Sequence, residues 1–397
     1  MYYAIEDPTV KVSYTVYRPK EATSTNPYPV VFVVPGFTRT KATMSQYAIE
    51  LARRGSVVFT IDPGSQGGTT YGGYEADENG EYIIDENGNK VQNSYSVARS
   101  GMGYLLQYVY NNVETFDYID RDAIGLVGHS AGGGDAAKLT ADFAGETYET
   151  SIVKALYISG YIKTSAANVF ADLRCNTAMS YAKYDEGEFR YQDENQAYEV
   201  IALRFINEVN KKTNGANGNF DFFIHDYEYG SINKGTYRII HNEETNHCFE
   251  MYDAKSISNT INFFKKTLKL NTDIDDASQI WFVKESANGL SLACAFMLML
   301  SLVCLICTYV PFMKSLNVAG QERLASEREI KNAYSLDLYT NQTTTTKKKA
   351  MTFGKRLLFW LPTILTAIIA CLDYIPLARL SMDLFPDAAG NVYTYFF

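Results

Sequence analysis

The chain has little cysteine and no excess of basic residues. Its six cysteines are scattered rather than spaced as C-x-x-C, so the sequence gives no support to a zinc site. The formal net charge is −9, and the isoelectric point is near 5.1, which argues against a nucleic-acid partner. Only Cys175 and Cys248 precede residue 285. They could form one disulfide in an exported domain, but we expect two buried thiols.

Charge is also missing from one long stretch near the C-terminal end. Residues 286–313 contain no charged side chain, and residues 290–312 are almost wholly apolar. That length suffices for a helix to cross the hydrocarbon core of a bilayer. We therefore predict a linker over 276–289 and transmembrane helices over 290–313 and 357–380. The second helix contains Pro362, which a membrane helix tolerates.

The loop between the two predicted spans sets their orientation. Residues 314–356 are rich in lysine and arginine, whereas the flanks at 273–276 and 383–387 are acidic. The positive-inside rule places such a loop in the cytoplasm. We therefore predict a multi-pass protein of the cell membrane whose N-terminal domain is extracytoplasmic.

The N-terminal residues do not explain how such a domain would be exported. Residues 1–10 have neither the basic start nor the apolar core of a signal peptide. We expect the chain to be part of a longer membrane protein with an N-terminal anchor and further spans, and the tail over 381–397 to be truncated.

Before residue 275, short apolar runs alternate with helical patterns. This alternation predicts an α/β domain over 1–275, with a mainly parallel sheet and helices on both faces. The turn sequence Asp-Glu-Asn-Gly occurs twice, at 77–80 and 85–88, which predicts an inserted β-hairpin over 74–91. Lys90 stands where a calcium loop would need glycine, so we favour a solvated hairpin. The predicted strands cover 30–34, 57–61, 123–127, 155–159, 177–182 and 237–240.

One sequence motif indicates a catalytic residue. Gly128-His129-Ser130-Ala131-Gly132 is a G-x-S-x-G sequence between an apolar strand and a small-residue-rich helix. Strand, sharp turn and helix are the context of a nucleophile elbow, which exposes the serine hydroxyl at the top of a sheet. A structural glycine turn is the alternative, and the context favours a catalytic Ser130.

A nucleophilic serine needs a base, and four histidines are available. We expect His129, inside the elbow, to be a packing residue that points away from the nucleophile. No clear strand precedes His225. Both His241 and His247 follow the strand predicted over 237–240, and His247 is favoured because a base must reach the serine from a loop.

The base needs a carboxylate that orients it. In this architecture the acid comes between serine and histidine along the chain. Asp185 follows the strand predicted over 177–182 by one short turn and is the predicted acid. The alternative is that Asp185 and Glu186 only cap or solvate a loop. Asp172 and Glu186 are further candidates for the acid.

Ester hydrolysis passes through an oxyanion that needs two backbone donors. We predict the amide of Ala131, directly after the serine, as one donor. The other is the amide of Phe37, which Gly36 exposes by letting the backbone turn after the strand over 30–34. A simple Pro-Gly turn is the alternative, and the elbow makes the oxyanion role the better interpretation.

Together these features resemble the α/β-hydrolase superfamily. The features, in chain order, are Pro-Gly-Phe at 35–37, Gly-His-Ser-Ala-Gly-Gly-Gly at 128–134, Asp185 and His247. The segment 35–62 resembles dienelactone hydrolases and bacterial cutinase and polyesterase-lipase relatives. The resemblance covers roughly 10–270 and implies a serine ester hydrolase. Ala131 stands where the cutinase group usually has methionine.

We therefore expect a membrane-anchored enzyme that cleaves small-molecule or lipid carboxylic esters through an acyl-enzyme, without a metal or organic cofactor. One rival is an acyltransferase that uses the same three side chains. The other is a membrane sensor or transport partner that binds a ligand without turnover. Asp373 in the second span favours this rival, since an ionisable residue in a bilayer is costly, but we expect Asp373 to mark the interface.

Overall fold

The computed structural model describes residues 11–64, 66–69, 83–86, 88, 101–162, 169–185, 198–208, 219–270, 273–309 and 364. The chain divides into two compact units, and the boundary lies between Trp281 and Phe282. The hairpin predicted over 74–91 lies mostly outside the described residues. The basic loop over 314–356, the second span over 357–380 and the tail over 381–397 also fall outside them, apart from residue 364.

Seven strands of the first unit form one sheet in the order β1-β3-β2-β4-β5-β6-β7. The first strand runs antiparallel to β3, and all other neighbours are parallel. The strands are β1 Tyr14–Tyr17, β2 Tyr28–Val34, β3 Val57–Ile61, β4 Ile119–His129, β5 Val153–Ser159, β6 Asn176–Ala182 and β7 Arg238–Glu243.

Helices cover both faces of this sheet, which is why strands such as β2 and β3 are nearly continuous apolar runs rather than alternating ones. On β2, Val30 and Phe32 belong to the core beneath α2, α3 and α4, whereas Val31 and Val33 belong to the core beneath α1 and α5. The predicted mainly parallel α/β architecture is therefore confirmed. The helices are α1 Ser45–Ala52, α2 Met102–Asn111, α3 Ala131–Asp142, α4 Tyr198–Asn207 and α5 Ala254–Leu268.

Parallel pairing brings the carboxyl ends of β2, β4, β6 and β7 to one edge of the sheet. Strand β2 lies between β3 and β4, so the chain order reverses there. In open α/β sheets a crevice forms outside the strand ends at such a reversal and receives the ligand. The residues directly after β2 and β4 are the predicted oxyanion loop and Ser130.

A long apolar helix, α6, covers Trp281–Tyr309, and all of it after Trp281 belongs to the second unit. Within its segment Trp281–Ile306, an 18-residue window has a mean hydropathy of 2.5, and among the described residues this helix alone is long and apolar enough to cross a membrane. The helix starts nine residues before the predicted start at residue 290, so most of the predicted linker over 276–289 is helical. Lys284 and Glu285 made this stretch resemble a linker, but charged residues are compatible with a helix end.

The last residues of the first unit are bound to a buried carboxylate on α1. Glu50 is fully buried, and its Oε1 accepts hydrogen bonds from the amides of Ile280 (2.6 Å) and Trp281 (2.9 Å). Its Oε2 accepts from Arg53 (2.7 Å) and from the buried Arg54 (2.8 Å). A buried ion pair of this kind needs both partners, because removal of one leaves an uncompensated charge.

We predict that Glu50→Gln destabilises the first unit by about 3 kcal/mol, because it leaves Arg54 buried without its counter-ion. Chemical denaturation of the full chain in detergent measures this loss. The matched control is Glu244→Gln, which removes an ion pair with Lys183 between side chains 72% and 46% exposed. It should cost less than about 1 kcal/mol. Equal losses in the two variants would contradict an anchoring role for Glu50.

Candidate active site

Ser130 occupies a strained turn between β4 and α3. Its backbone has φ 56° and ψ −128°, a positive φ that residues other than glycine rarely adopt. A side chain at Gly128 would collide with the backbone of Gly132, so the close approach of strand and helix requires glycine there. The Ser130 amide donates to the carbonyl of Ser159 on β5 (2.8 Å). This turn has the strand-turn-helix form that the motif predicted.

The predicted base and acid lie beside Ser130. His247 opens the 3-10 turn His247–Tyr252 after β7, and its Nε2 is 2.9 Å from Ser130 Oγ. The other ring nitrogen, Nδ1, is 2.9 Å from Oδ2 of Asp185, which follows β6 and is 4% exposed. Hydroxyl, imidazole and buried carboxylate thus stand in the sequence that activates a serine in serine hydrolases.

A second carboxylate, which the sequence does not predict, also faces His247. Glu250 is fully buried, and its Oε2 is 3.4 Å from His247 Nδ1. The sequence prediction placed the acid before the histidine along the chain, and Glu250 follows His247. The available signal is the spacing, because residues three apart in a 3-10 turn lie on the same face.

We expected His129 to be a packing residue that points away from the nucleophile, but its ring lies next to that of His247. The ring is fully buried, and its centroid is 4.8 Å from that of His247. Burial lowers the pKa of His129 more than its Glu250 partner raises it, so the ring is neutral. A carboxylate only accepts, so Nε2–H donates to Glu250 Oε2 across 2.9 Å. His129 therefore orients Glu250 against His247.

Two carboxylates around one imidazole change its protonation. Burial lowers the pKa of His247, but contact with Asp185 and Glu250 outweighs burial and raises the pKa from 6.5 to about 10. The folded state thus binds this proton more tightly than the unfolded chain does. The resulting stabilisation is complete below pH 6.5 and is lost as the pH rises to about 10.

The other candidate residues have partners or positions of their own. His225 Nε2 is 2.6 Å from the hydroxyl of Tyr181, and His241 Nδ1 is 2.5 Å from Oδ1 of Asp226. Asp172 lies in the 3-10 turn Phe170–Asp172 before β6. The other reserve acid, Glu186, is outside the described residues.

The loop after β2 lies directly against the serine. A Cβ at Gly36 would be 2.6 Å from the Cβ of Ser130 and 3.2 Å from its Oγ. Gly36, Phe37 and Ala131 line one small cleft with a volume of about 20 Å³, and Phe37 is 48% exposed. This arrangement brings the two predicted donor residues to the same cleft, and their oxyanion role stays a prediction.

Hydrogen bonds between loops brace this region. The amide of Arg39 donates to the side-chain oxygen of Gln66 (2.7 Å), and the amide of Lys41 donates to Asp62 (2.7 Å). Burial raises the pKa of Asp62, but hydrogen bonds from Lys41, Gly68 and other donors outweigh burial and lower it overall. The loops after β2 and β3 are therefore tied to each other across the crevice.

The two cysteines of the first unit are free thiols. Cys175 is buried, as expected, but Cys248 is exposed. The expectation of two buried thiols is wrong for Cys248, because the turn that presents His247 runs along the surface.

Among the residues that the structure describes, one set of side chains has the types and spacing of metal ligands. The ligand atoms of His129, His247 and Glu250 lie within 4.8 Å of one another, and imidazole and carboxylate suit zinc. In this structure Glu250 already accepts from His129, and the two His247 nitrogens face Ser130 and Asp185. We assign the set to the orientation of His247.

No family model matches the chain, and no curated protein matches it. Among solved structures it is similar to a 2,6-dihydroxy-pseudo-oxynicotine hydrolase, with 15% identity over 65% of this chain and 64% of that one (TM-score 0.39). A dienelactone hydrolase from Anabaena variabilis matches with 13% identity over 66% and 93% (TM-score 0.40). An esterase from Pyrobaculum calidifontis matches with 16% identity over 64% and 81% (TM-score 0.40). No activity follows from similarity at this level.

We predict that NMR titration of the full chain in detergent gives His247 a pKa near 10. The variant Glu250→Gln should lower that pKa, because it removes one negative charge from the imidazole while Gln can still accept from His129. The control Glu228→Gln, which removes an exposed charge beside Lys266, should leave the pKa in place. An unchanged pKa in Glu250→Gln would show that Glu250 does not act on His247.

Proposed function

We propose that the first unit is a serine hydrolase of carboxylic esters with an α/β-hydrolase architecture. The observation that carries this proposal is the continuous chain of contacts from Ser130 Oγ through His247 to Asp185. The strained backbone at Ser130 and the chain order serine, acid, histidine support it further. Small-molecule or lipid esters are the substrates, since the reaction needs only a carbonyl that fits against the crevice.

The reaction begins when His247 removes the proton of Ser130. The hydroxyl oxygen attacks the ester carbonyl carbon, and Nε2 receives its proton. Asp185 orients the ring through Nδ1 and stabilises the imidazolium that forms. The imidazolium then donates its proton to the alcohol oxygen, the ester bond breaks, and the acyl group stays on Ser130. A water molecule, activated by the same imidazole, releases the acid.

Negative charge collects on the carbonyl oxygen during both attacks. We assign its stabilisation to the amides of Ala131 and Phe37, since the loop carrying Phe37 lies against Ser130. Hydrogen bonds of that loop to Gln66 and Asp62 support a fixed donor geometry, which electrostatic stabilisation of a transition state requires.

Glu250 is a positioning residue in this scheme. It touches no substrate atom and acts through His247, whose imidazolium it stabilises together with Asp185. The same attraction keeps His247 protonated in neutral solution, where a protonated ring cannot accept from Ser130. The reaction should therefore be faster in alkaline solution, in which more of the chain carries a free base.

The second unit supplies a membrane anchor in this proposal. The segment Trp281–Ile306 is 26 residues long, has no charged residue after Glu285 and is long enough to span a bilayer. We propose that it tethers the hydrolase to the cell membrane, as one span of a multi-pass protein with the hydrolase outside. The basic composition of residues 314–356 supports that orientation.

A fluorophosphonate probe tests the proposed nucleophile. We predict that the full chain in detergent is labelled at Ser130 and that Ser130→Ala abolishes both labelling and ester hydrolysis. The labelling rate should rise as the pH increases towards 10, because His247 must first lose its proton. Mass spectrometry locates the adduct, and a pH series gives the rate profile.

Matched variants separate this mechanism from accidental labelling. Asp185→Asn should slow labelling by about a hundredfold or more, and Glu250→Gln should move the rise in rate to lower pH. Ser231→Ala, at the turn before β7, should change nothing. A folded chain that is never labelled, or is labelled at another residue, would refute the proposed nucleophile.

Membrane fractionation tests the proposed tether. The full chain should stay in the membrane pellet after a high-salt alkaline wash and be released only by detergent. In a shortened chain that ends at residue 313 and so lacks the second predicted span, Leu292→Arg together with Phe296→Arg, at positions exposed on α6, should cause release by the wash. The reason is that each Arg near the bilayer centre costs about 2.5 kcal/mol or more. Ala at the same positions is the control. Release of the unchanged chain by the wash alone would exclude a spanning helix.

A further inference from the structure

The side chains that orient His247 also have the arrangement of a metal site. Nδ1 of His247 is 2.9 Å from Asp185 Oδ2 and 3.4 Å from Glu250 Oε2. The same Glu250 oxygen is 2.9 Å from Nε2 of His129, and the ligand atoms of both histidines and Glu250 lie within 4.8 Å of one another. Ligand atoms of a tetrahedral Zn²⁺ are about 3.3 Å apart, because each bond to the metal is about 2.0–2.2 Å long. The three neighbouring pairs are already near this spacing, and side-chain rotation would adjust the others.

The four side chains are of the types that bind Zn²⁺. Zinc takes imidazole nitrogen and carboxylate oxygen in tetrahedral sites, and two ionised carboxylates balance its two positive charges. Ca²⁺ and Mg²⁺ fit less well, because both favour six or more oxygen ligands. The spacing of the cysteines does not reveal such a site, because its ligands lie at or after the ends of β4, β6 and β7.

Two buried atoms without partners also point to a cation. Glu250 Oε1 is buried and accepts no hydrogen bond from the residues that the structure describes, although buried carboxylates are normally paired or bind metals. Nδ1 of His129 is buried without a partner as well. The proton of this ring can therefore move from Nε2 to Nδ1 and leave Nε2 free to bind the ion. The His247 side chain is 26% exposed, which gives an ion a route from the solvent.

Zinc at this position would remove the base of the proposed reaction. A neutral imidazole has one proton, so a ring bound to Zn²⁺ through Nδ1 keeps that proton on Nε2. Nε2 is 2.9 Å from Ser130 Oγ and would then donate to the hydroxyl instead of accepting its proton. When the ion binds, the N–Zn bond replaces the N–H bond at Nδ1, and the displaced proton leaves to the solvent. Nothing is oxidised or reduced, so removal of the ion restores the base.

We propose that His129, Asp185, His247 and Glu250 form an inhibitory Zn²⁺ site, in which the ion binds Nδ1 of His247 and reversibly stops the hydrolase. The site itself stands on the geometry of these four side chains, whereas its effect rests on the proposed ester hydrolysis. His129 and Glu250 thus have two roles. They orient His247 while Nδ1 carries a proton, and they hold the ion when it replaces that proton.

Zinc binding to the full chain in detergent tests the site directly. Competition with a chromophoric zinc chelator should reveal one tight site per chain. His129→Gln removes one ligand, while the Gln amide can still donate to Glu250, and should weaken binding by at least about tenfold, as even changes around a metal's ligands do. The matched control is His225→Gln, which alters a histidine paired with Tyr181 outside the set and should leave the affinity in place.

Fluorophosphonate labelling of Ser130 measures the effect of the bound ion. Saturating Zn²⁺ should slow labelling by about a hundredfold or more, which is the usual contribution of a general base, and EDTA should restore it. In His129→Gln, the labelling that remains should need at least about tenfold more Zn²⁺ for the same inhibition. Cys248→Ser removes the exposed thiol beside His247 and should leave the inhibition unchanged.

If His129→Gln does not fold, X-ray absorption at the zinc edge of the wild-type chain decides the matter. The bound ion should have nitrogen and oxygen neighbours at about 2.0–2.2 Å and no sulfur neighbour at about 2.3 Å. A sulfur neighbour would place the ion at a cysteine and overturn the site.

The outcomes separate this inference from the proposed function. Equal zinc affinity in the wild-type chain and a folded His129→Gln variant would overturn the site and leave the hydrolase intact. Tight binding without slower labelling would overturn the inhibitory effect. A folded chain that binds Zn²⁺ as described but never takes the label would refute the hydrolase, and the inhibitory effect with it, while the metal site would stand.

Discussion

The strained backbone at Ser130 is the constraint on which the rest of the site depends. A residue other than glycine with φ 56° costs about 1–3 kcal/mol unless the surrounding structure holds it. Here β4 and α3 hold it, because both are packed into the core and leave only the turn between them free to distort. The distortion lifts the hydroxyl above the sheet edge. The loops after β2, β6 and β7 reach the same edge because their strands are parallel to β4.

The carboxylates around His247 have two opposite effects on the proposed reaction. In the proposed mechanism, two carboxylates instead of one stabilise the imidazolium that forms during attack, which favours the transition state. The same carboxylates hold the proton before the reaction starts, so fewer molecules carry a free base at neutral pH. His129 sets this balance, since its neutral ring donates to Glu250 and keeps that carboxylate against His247.

The hydrophobic periodicity of the sequence predicted the sheet. The chain order and the small number of histidines led to Ser130, Asp185 and His247 as one candidate site. A sheet covered on both faces needs continuous apolar strands, and four histidines left few possible bases. The contribution of Glu250 could not be anticipated in the same way, because it depends on a 3-10 turn that folds three residues back onto His247. The sequence also did not predict that α6 starts at Trp281, because the charged residues Lys284 and Glu285 are typical of a linker.

Asp185 and Asp135 show how position puts one residue type into two different electrostatic environments. Both are buried carboxylates near Ser130, but Asp185 contacts the imidazole that can carry its counter-charge. Asp135 has only the distant charge of Lys138, and burial pushes it towards the neutral acid. Such a group is costly to keep unless something compensates for it. The protein supplies the compensating charge for Asp185, whereas Asp135 lines a small cleft in which burial favours the neutral acid, and a neutral acid needs no counter-charge.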